Sequence, residues 1–299
     1  MRLDPNYLNS LAGAVDQSNS SIATLTGELS SGLSVSSLQD NPSAVAQSTL
    51  LNSSITADDT YVQTASSVQS RMQVADSTLG EVVTQLTSAI STAVQGNDGT
   101  LNASNLSSIA QKLSGIRDQV LSLANTSYQG QYLFSGSQGS VQPFTLDTST
   151  TPATTTYNGD TNIQSIQTPN GQTIQTNLAG SAVFGGAAGA FTALNQLIAD
   201  YSGGASSATL TADTSALTTA LGQVSNQRSI LDNALSTVES TSTYAQTQAA
   251  QLTVQQSGLV SADMATVATQ MSSAETQRQA LLSTVSALEK NNNLFDYMQ

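Results

Sequence analysis

The feature that most constrains this chain is a matched pair of apolar repeats, one near each end. Leu8, Leu11, Val15, Ile22, Leu25 and Leu29 recur at alternating steps of three and four, with Ser18 as the polar member of the series. Met264, Val267, Met271, Ala274, Leu281, Val285 and Leu288 do the same, with Arg278 as the exception. A three-four repeat lays a narrow stripe along one side of a helix, the seam of a coiled coil. Each stripe spans roughly 33 to 38 Å at 1.5 Å per residue. Neither has a core of its own, and isolated helices of this length are marginal. The two seams are therefore expected to pack on each other or on copies in neighbouring subunits. Leu8, Leu11, Val15, Ile22, Leu25, Leu29, Met264, Val267, Met271, Leu281, Val285 and Leu288 are the expected assembly interface. What lies between becomes an excursion out from a stem and back.

The intervening sequence supports that layout. Gly32 is placed to close the first helix, and Asn41-Pro42 reads as an N-cap followed by proline at the first helical position. A long second helix carries Leu51, Ile55, Val62 and Ala65, with Asp58 as the polar member of that seam. It continues with Met72, Ala75, Leu79, Val82, Leu86, Ala89 and Ala93 as far as Gly96. A third, from about Asn102, carries Leu106, Ile109, Leu113, Ile116, Val120 and Leu123, and a short turn predicts an antiparallel hairpin with the second. From Gly136 to Gly204 the character changes to Thr, Gly and Asn. Thr154 to Tyr157, Ile163 to Thr168 and Gln172 to Leu178 read as strands, with turns at Asn158-Gly159 and Pro169-Asn170-Gly171. Helical periodicity resumes through Leu217, Val224, Leu231, Val238, Ala245 and Leu252. The expected fold is mainly α: an elongated antiparallel helical bundle or coiled-coil stem formed by both chain ends, with a small inserted β-rich domain. Its parts are a stem of 1–35 with 260–299, a helical rod of 36–136 with 205–259, and a β insertion at 137–204.

Composition narrows the function. There are 20 acidic and seven basic residues, so the formal net charge of −13 leaves no basic patch for nucleic acid or an anionic membrane. With no His and no Cys, the usual general bases, thiolate nucleophiles and thiolate metal sites are missing. The chain reads as no enzyme, and no cofactor or metal is expected. Arg2 to Tyr7 lead straight into the amphipathic repeat, so no secretory signal peptide is expected.

Leu29-Ser30-Ser31-Gly32-Leu33-Ser34-Val35, followed by Asp40-Asn41-Pro42-Ser43-Ala44, resembles the N-terminal signature of the bacterial flagellin family, with Ser34 replacing the usual Arg. Ser261-Ala262-Asp263-Met264 through Ala274-Glu275-Thr276-Gln277 resembles the family's other end. Tyr132-Leu133-Phe134-Ser135-Gly136 and the tail Leu294-Phe295-Asp296-Tyr297-Met298 are similar to the hook-filament junction branch of the family. The resemblance implies a structural subunit that leaves the cell through the flagellar type III apparatus, without a cleaved signal peptide. Its terminal helices would self-assemble into a ring at the junction between hook and filament. Implied partners are a neighbouring hook-associated protein, flagellin and a cytoplasmic export chaperone. The filament flagellin itself is the nearest alternative. An alternative of another class is a secreted adhesin, in which the β insertion binds a ligand and the helices form a stalk.

Overall fold

The computed structural model describes residues 5–35, 41–97, 102–186 and 189–296. Seven helices and six short strands appear among them. In order they are α1 (Pro5–Ser31), α2 (Pro42–Gly96), α3 (Ala103–Ala124), β1 (Ser127–Tyr128), β2 (Gln131–Tyr132), β3 (Phe144–Asp147) and β4 (Thr154–Tyr157). There follow β5 (Ser165–Gln167), β6 (Thr173–Gln175), α4 (Gly180–Phe184), α5 (Ala190–Gly203), α6 (Ser207–Val260) and α7 (Met264–Asp296). The fold is mainly helical with small antiparallel strand pairs, as the periodicities require. It divides into two compact units: Met1–Thr56 with Gln248–Gln299, and Ala57–Thr247.

The predicted helix ends are chemically marked. Gly32 takes φ +73° after α1, a left-handed conformation that costs a residue with a Cβ. At the start of α2 the Ala44 amide donates to Asn41 Oδ1 at 3.1 Å. Asn102 caps α3 in the same way, accepting from the Asn105 amide at 2.9 Å. These long helices are unusually rich in Ser and Thr, which compete with helix formation in water. Here the hydroxyls are absorbed by carbonyls four residues back: Thr49 to Val45, Thr56 to Asn52, Thr87 to Val83 and Thr92 to Ser88 all do so.

In the Ala57–Thr247 unit, α2 and α6 run antiparallel. The register is fixed by Arg228 Nε and Nη2, which donate to the two carboxylate oxygens of Asp76 at 2.6 and 3.0 Å. Met72, Leu79, Val82 and Leu86 of α2 and Leu217, Val224 and Leu231 of α6 are fully buried. Each such side chain contributes roughly 1.5 to 3 kcal/mol by leaving water. Where α2 ends, Gly96 admits the Tyr201 ring: a Cβ there would lie 2.8 Å from it. The Tyr201 hydroxyl donates to the Ala93 carbonyl, closing the end of the helix.

One expectation is corrected. The Asn158-Gly159 turn does not join two strands of one hairpin, because β4 pairs with β3, a strand the sequence reading did not include. β3 is held from outside the sheet, by Asn125, whose side chain donates to the Phe144 carbonyl and accepts from its amide, both at 2.9 Å. On α3, Leu113 and Val120 of the expected stripe are fully buried and Leu106, Ile109, Ile116 and Leu123 pack against the core, while Ala110, Arg117 and Ala124 are buried beside them, where α3 lies closest to α5. Arg117 tolerates that burial because Nε and Nη2 bond Asp118 at 3.0 and 2.8 Å and Nη2 bonds Ser114 at 3.0 Å. The β5–β6 hairpin around Pro169-Asn170-Gly171 is as expected. Its opposed Ile166 and Ile174 sit over Tyr61 and Ala65 of α2 and Val238 and Ala245 of α6.

The inserted segment has an aromatic centre. Phe144 lies 5.1 Å from Tyr157, 5.5 Å from Phe184 and 5.1 Å from Phe191, measured between ring centroids. The Phe144–Phe184 pair and the Phe134–Phe184 pair are edge to face, at 84° and 87°. Tyr132-Leu133-Phe134-Ser135-Gly136 is the seat of this cluster: residues 133 to 136 are all buried.

Near α5, burial and the adjacent Asp200 push Asp213 up to about 6. Its folded value then lies above the ordinary carboxylate value of 3.8. The folded chain therefore binds this proton over a range where the unfolded chain does not. The ionised pair weakens the fold above pH 6, and the penalty fades as pH falls toward 4. Asp213→Asn is expected to raise stability at pH 7.5 by about 1 kcal/mol after solvent screening. Urea titrations of both chains should show that advantage shrink to nothing by about pH 4.

Candidate assembly interface

The first unit brings the two predicted seams together. Ser34 donates its amide to the Val260 carbonyl at 2.8 Å, and Ala262 donates to Gly32 at 2.9 Å. These bonds flank an antiparallel bridge between Leu33 and Ser261. The two segments singled out in sequence, 29–35 and 261–277, thus begin side by side although 226 residues separate Ser34 from Val260. Asp263 caps α7, accepting from the Ala265 amide at 3.0 Å and from the Thr266 hydroxyl at 2.9 Å. The Thr266 hydroxyl and the Thr266 and Ala265 amides hold its carboxyl below the usual range. Away from that turn, α1 and α7 continue packed on each other.

Two contacts give the approximate register of the pair. Ser18, the polar member of the first seam, donates its hydroxyl to the Ala274 carbonyl at 3.3 Å. With the Leu33–Ser261 bridge this sets Leu29 level with Met264, Leu25 with Val267, Ile22 with Met271, Ser18 with Ala274, Val15 with Arg278 and Leu11 with Leu281. Each exception to a stripe therefore meets a tolerable partner: a hydroxyl meets a carbonyl, and the arginine stem lies level with a valine. Arg278 Nε has no hydrogen-bond partner among the described residues.

Two helices cannot enclose a seam. Val267 and Ala274 are buried, at 4% and 9% exposure. Leu11, Val15, Ile22, Leu25, Met271, Leu281 and Val285 are only half-buried. Leu29 and Met264, at the loop end, are 37% and 45% exposed. The side chains of Leu8 and Leu288 lie outside the described residues. Beside the seam a groove of about 530 Å³ runs past Thr24, Leu25, Gln270 and Ala274. The pair is thus a coiled coil with an apolar stripe still partly in water. The described residues contain no helix long and apolar enough to cross a membrane.

The pattern defining the bacterial flagellin N-terminal helical region matches residues 7–139. No curated protein matches the sequence. Among solved structures, the chain is similar to a putative flagellar hook-associated protein from Vibrio parahaemolyticus: TM-score 0.66, 18% identity, covering 74% of this chain and all of that one. It is similar to flagellar hook-associated protein-3 from Legionella pneumophila, with TM-score 0.63 and 15% identity over 70% of this chain and 98% of that one. It is also similar to FlgL of Bacillus cereus, with TM-score 0.55 and 22% identity over 70% and 99%. At these identities the likeness is one of fold. Over residues 7–139, which take in α1, α2, α3 and the first hairpin, the chain is similar to the bacterial flagellin N-terminal helical region.

Proposed function

We propose that this protein is a structural subunit of the bacterial flagellum that forms the junction between hook and filament. The observation that carries the reading is the α1–α7 seam: an apolar stripe drawn from both ends of the chain and left half in water. Further copies of the same helices would complete its burial, and each added Leu or Val side chain contributes up to roughly 1.5 to 3 kcal/mol. The flagellin N-terminal region supports the flagellar setting, and the likeness in fold to hook-associated proteins favours the junction over the filament.

On this reading Leu11, Val15, Ile22, Leu25, Leu29, Met264, Val267, Met271, Leu281 and Val285, with Leu8 and Leu288 beyond them, form the interface that closes a ring. Residues 1–35 with 260–299 serve as the inner stem, 36–136 with 205–259 as a helical rod, and 137–204 as the outward part. The chain acts as no enzyme. Its partners are its own copies, an adjacent hook-associated protein, flagellin, and an export chaperone that holds the chain before secretion outside the cell.

Labelling an epitope-tagged chain on intact flagella tests this. A single label between hook and filament is expected. Label along the whole filament would make the chain the filament subunit, and label on the cell surface without flagella would make it an adhesin.

A further inference from the structure

Within the Ala57–Thr247 unit, three segments far apart in sequence enclose a cleft of about 340 Å³. Its walls include Thr64, Ser67 and Arg71 of α2, Tyr128 and Gln129 of the β1–β2 turn, and Gln164 just before β5. No Asp or Glu lines it. That absence is notable in a chain with 20 acidic residues and seven basic ones. Arg117 and Arg228 each have an aspartate at 2.8 and 2.6 Å. Arg71 has none among the described residues.

Arg71 is half-buried, and burial draws its pKa down, yet a guanidinium stays charged at any physiological pH. Its fork is mostly unspent. Nη2 reaches the Thr176 carbonyl and hydroxyl at 3.5 and 3.4 Å, both long, while Nε and Nη1 have no partner among the described residues. Across the cleft, Gln129 holds φ +50°, a left-handed conformation that is uncommon for a residue with a long side chain. Its amide Nε2 donates to the Tyr128 hydroxyl at 3.3 Å. Amides and hydroxyls thus surround a cation on which each bidentate fork, Nε with Nη2 or Nη1 with Nη2, has one nitrogen free and the other held only by long contacts that a carboxylate would displace.

We propose that this cleft receives the carboxylate of an Asp or Glu side chain from a second copy of the chain. Copies that each carry a formal charge of −13 repel one another on packing. A partly desolvated, unpaired guanidinium is the place where one neighbour's acid turns repulsion into attraction. The choice of a second copy rests on the self-assembling reading above, whereas the carboxylate specificity of the cleft does not.

The experiment has two arms, both on the full chain. In the first, ¹⁵N spectra of the Arg71 Nε–H are followed while N-acetyl-aspartate amide is added to the monomer, with chloride at matched ionic strength as control. A saturable shift of that signal is expected, with affinity read in parallel from the backbone amides lining the cleft weakened about tenfold or more in Arg71→Gln. No saturable shift, or the same shift from other groups in Arg71→Gln, overturns the cleft. In the second, a photo-crosslinking residue replaces Gln129 in cells building flagella. A covalent dimer of this chain is expected, and a cross-link to a different protein, or none, overturns the second copy. A positive first arm with a negative second leaves the carboxylate cleft standing and counts against the neighbour alone.

Discussion

Phe144→Ala is expected to destabilise the Ala57–Thr247 unit by about 3 to 5 kcal/mol, the largest effect of any single truncation in this chain. Phe144 is 2% exposed and touches three other rings. It is also the residue whose backbone Asn125 clamps. Removing the ring leaves a cavity among Tyr157, Phe184 and Phe191, none of which can collapse into it without breaking its own contacts. The loss is a large share of the 5 to 15 kcal/mol that a whole domain commonly has. Urea unfolding followed by near-UV circular dichroism of the tyrosines should show the midpoint fall sharply. Phe144→Leu, which keeps most of the volume, should cost less than half as much.

Val267→Asp acts on the other unit and on a different property. Among the described residues Val267 is the most deeply buried member of the α1–α7 seam, about level with Leu25. A carboxylate there has no cation to meet and would have to leave water without a partner, at a cost of several kcal/mol. The pairing of α1 with α7 should fail, and with it any assembly built on that pair. Cells carrying only this variant are expected to lose motility, while unfolding of the Ala57–Thr247 unit stays within about 0.5 kcal/mol of the parent. Val267→Ala should weaken assembly without abolishing it. Motility assays and calorimetry on the same variants check both halves.

What the sequence made legible and what it hid divide along physical lines. The α1–α7 seam, the limits of α2 at Pro42 and Gly96, and the Pro169-Asn170-Gly171 turn rest on local rules: a 3.5-residue period, a cap, a left-handed glycine. Each was readable because the cause lies within a few residues of the effect. The β3–β4 pairing was not, because Phe144–Asp147 alternates over only four residues and its position is set by Asn125 and by the aromatic cluster. The apolar stripe of α3 was readable, and it packs on the core. What spacing did not show is that small Ala110 and Ala124 extend the buried face toward α5. Arg117 then enters the core because Asp118 and Ser114 are there to receive it. The cleft around Arg71 assembles from residues 64–71, 128–131 and 164–176, which no spacing connects. Asp58 shows the same limit in reverse. Its place in the seam was evident, but its burial to 2% exposure, with Oδ2 lacking a partner among the described residues, was not.

The junction role is tested most directly by a clean deletion of the gene, with electron microscopy of the cells and analysis of the protein they release. The expected result is hooks without filaments, with unpolymerised flagellin in the medium. Normal filaments with normal motility would contradict the role.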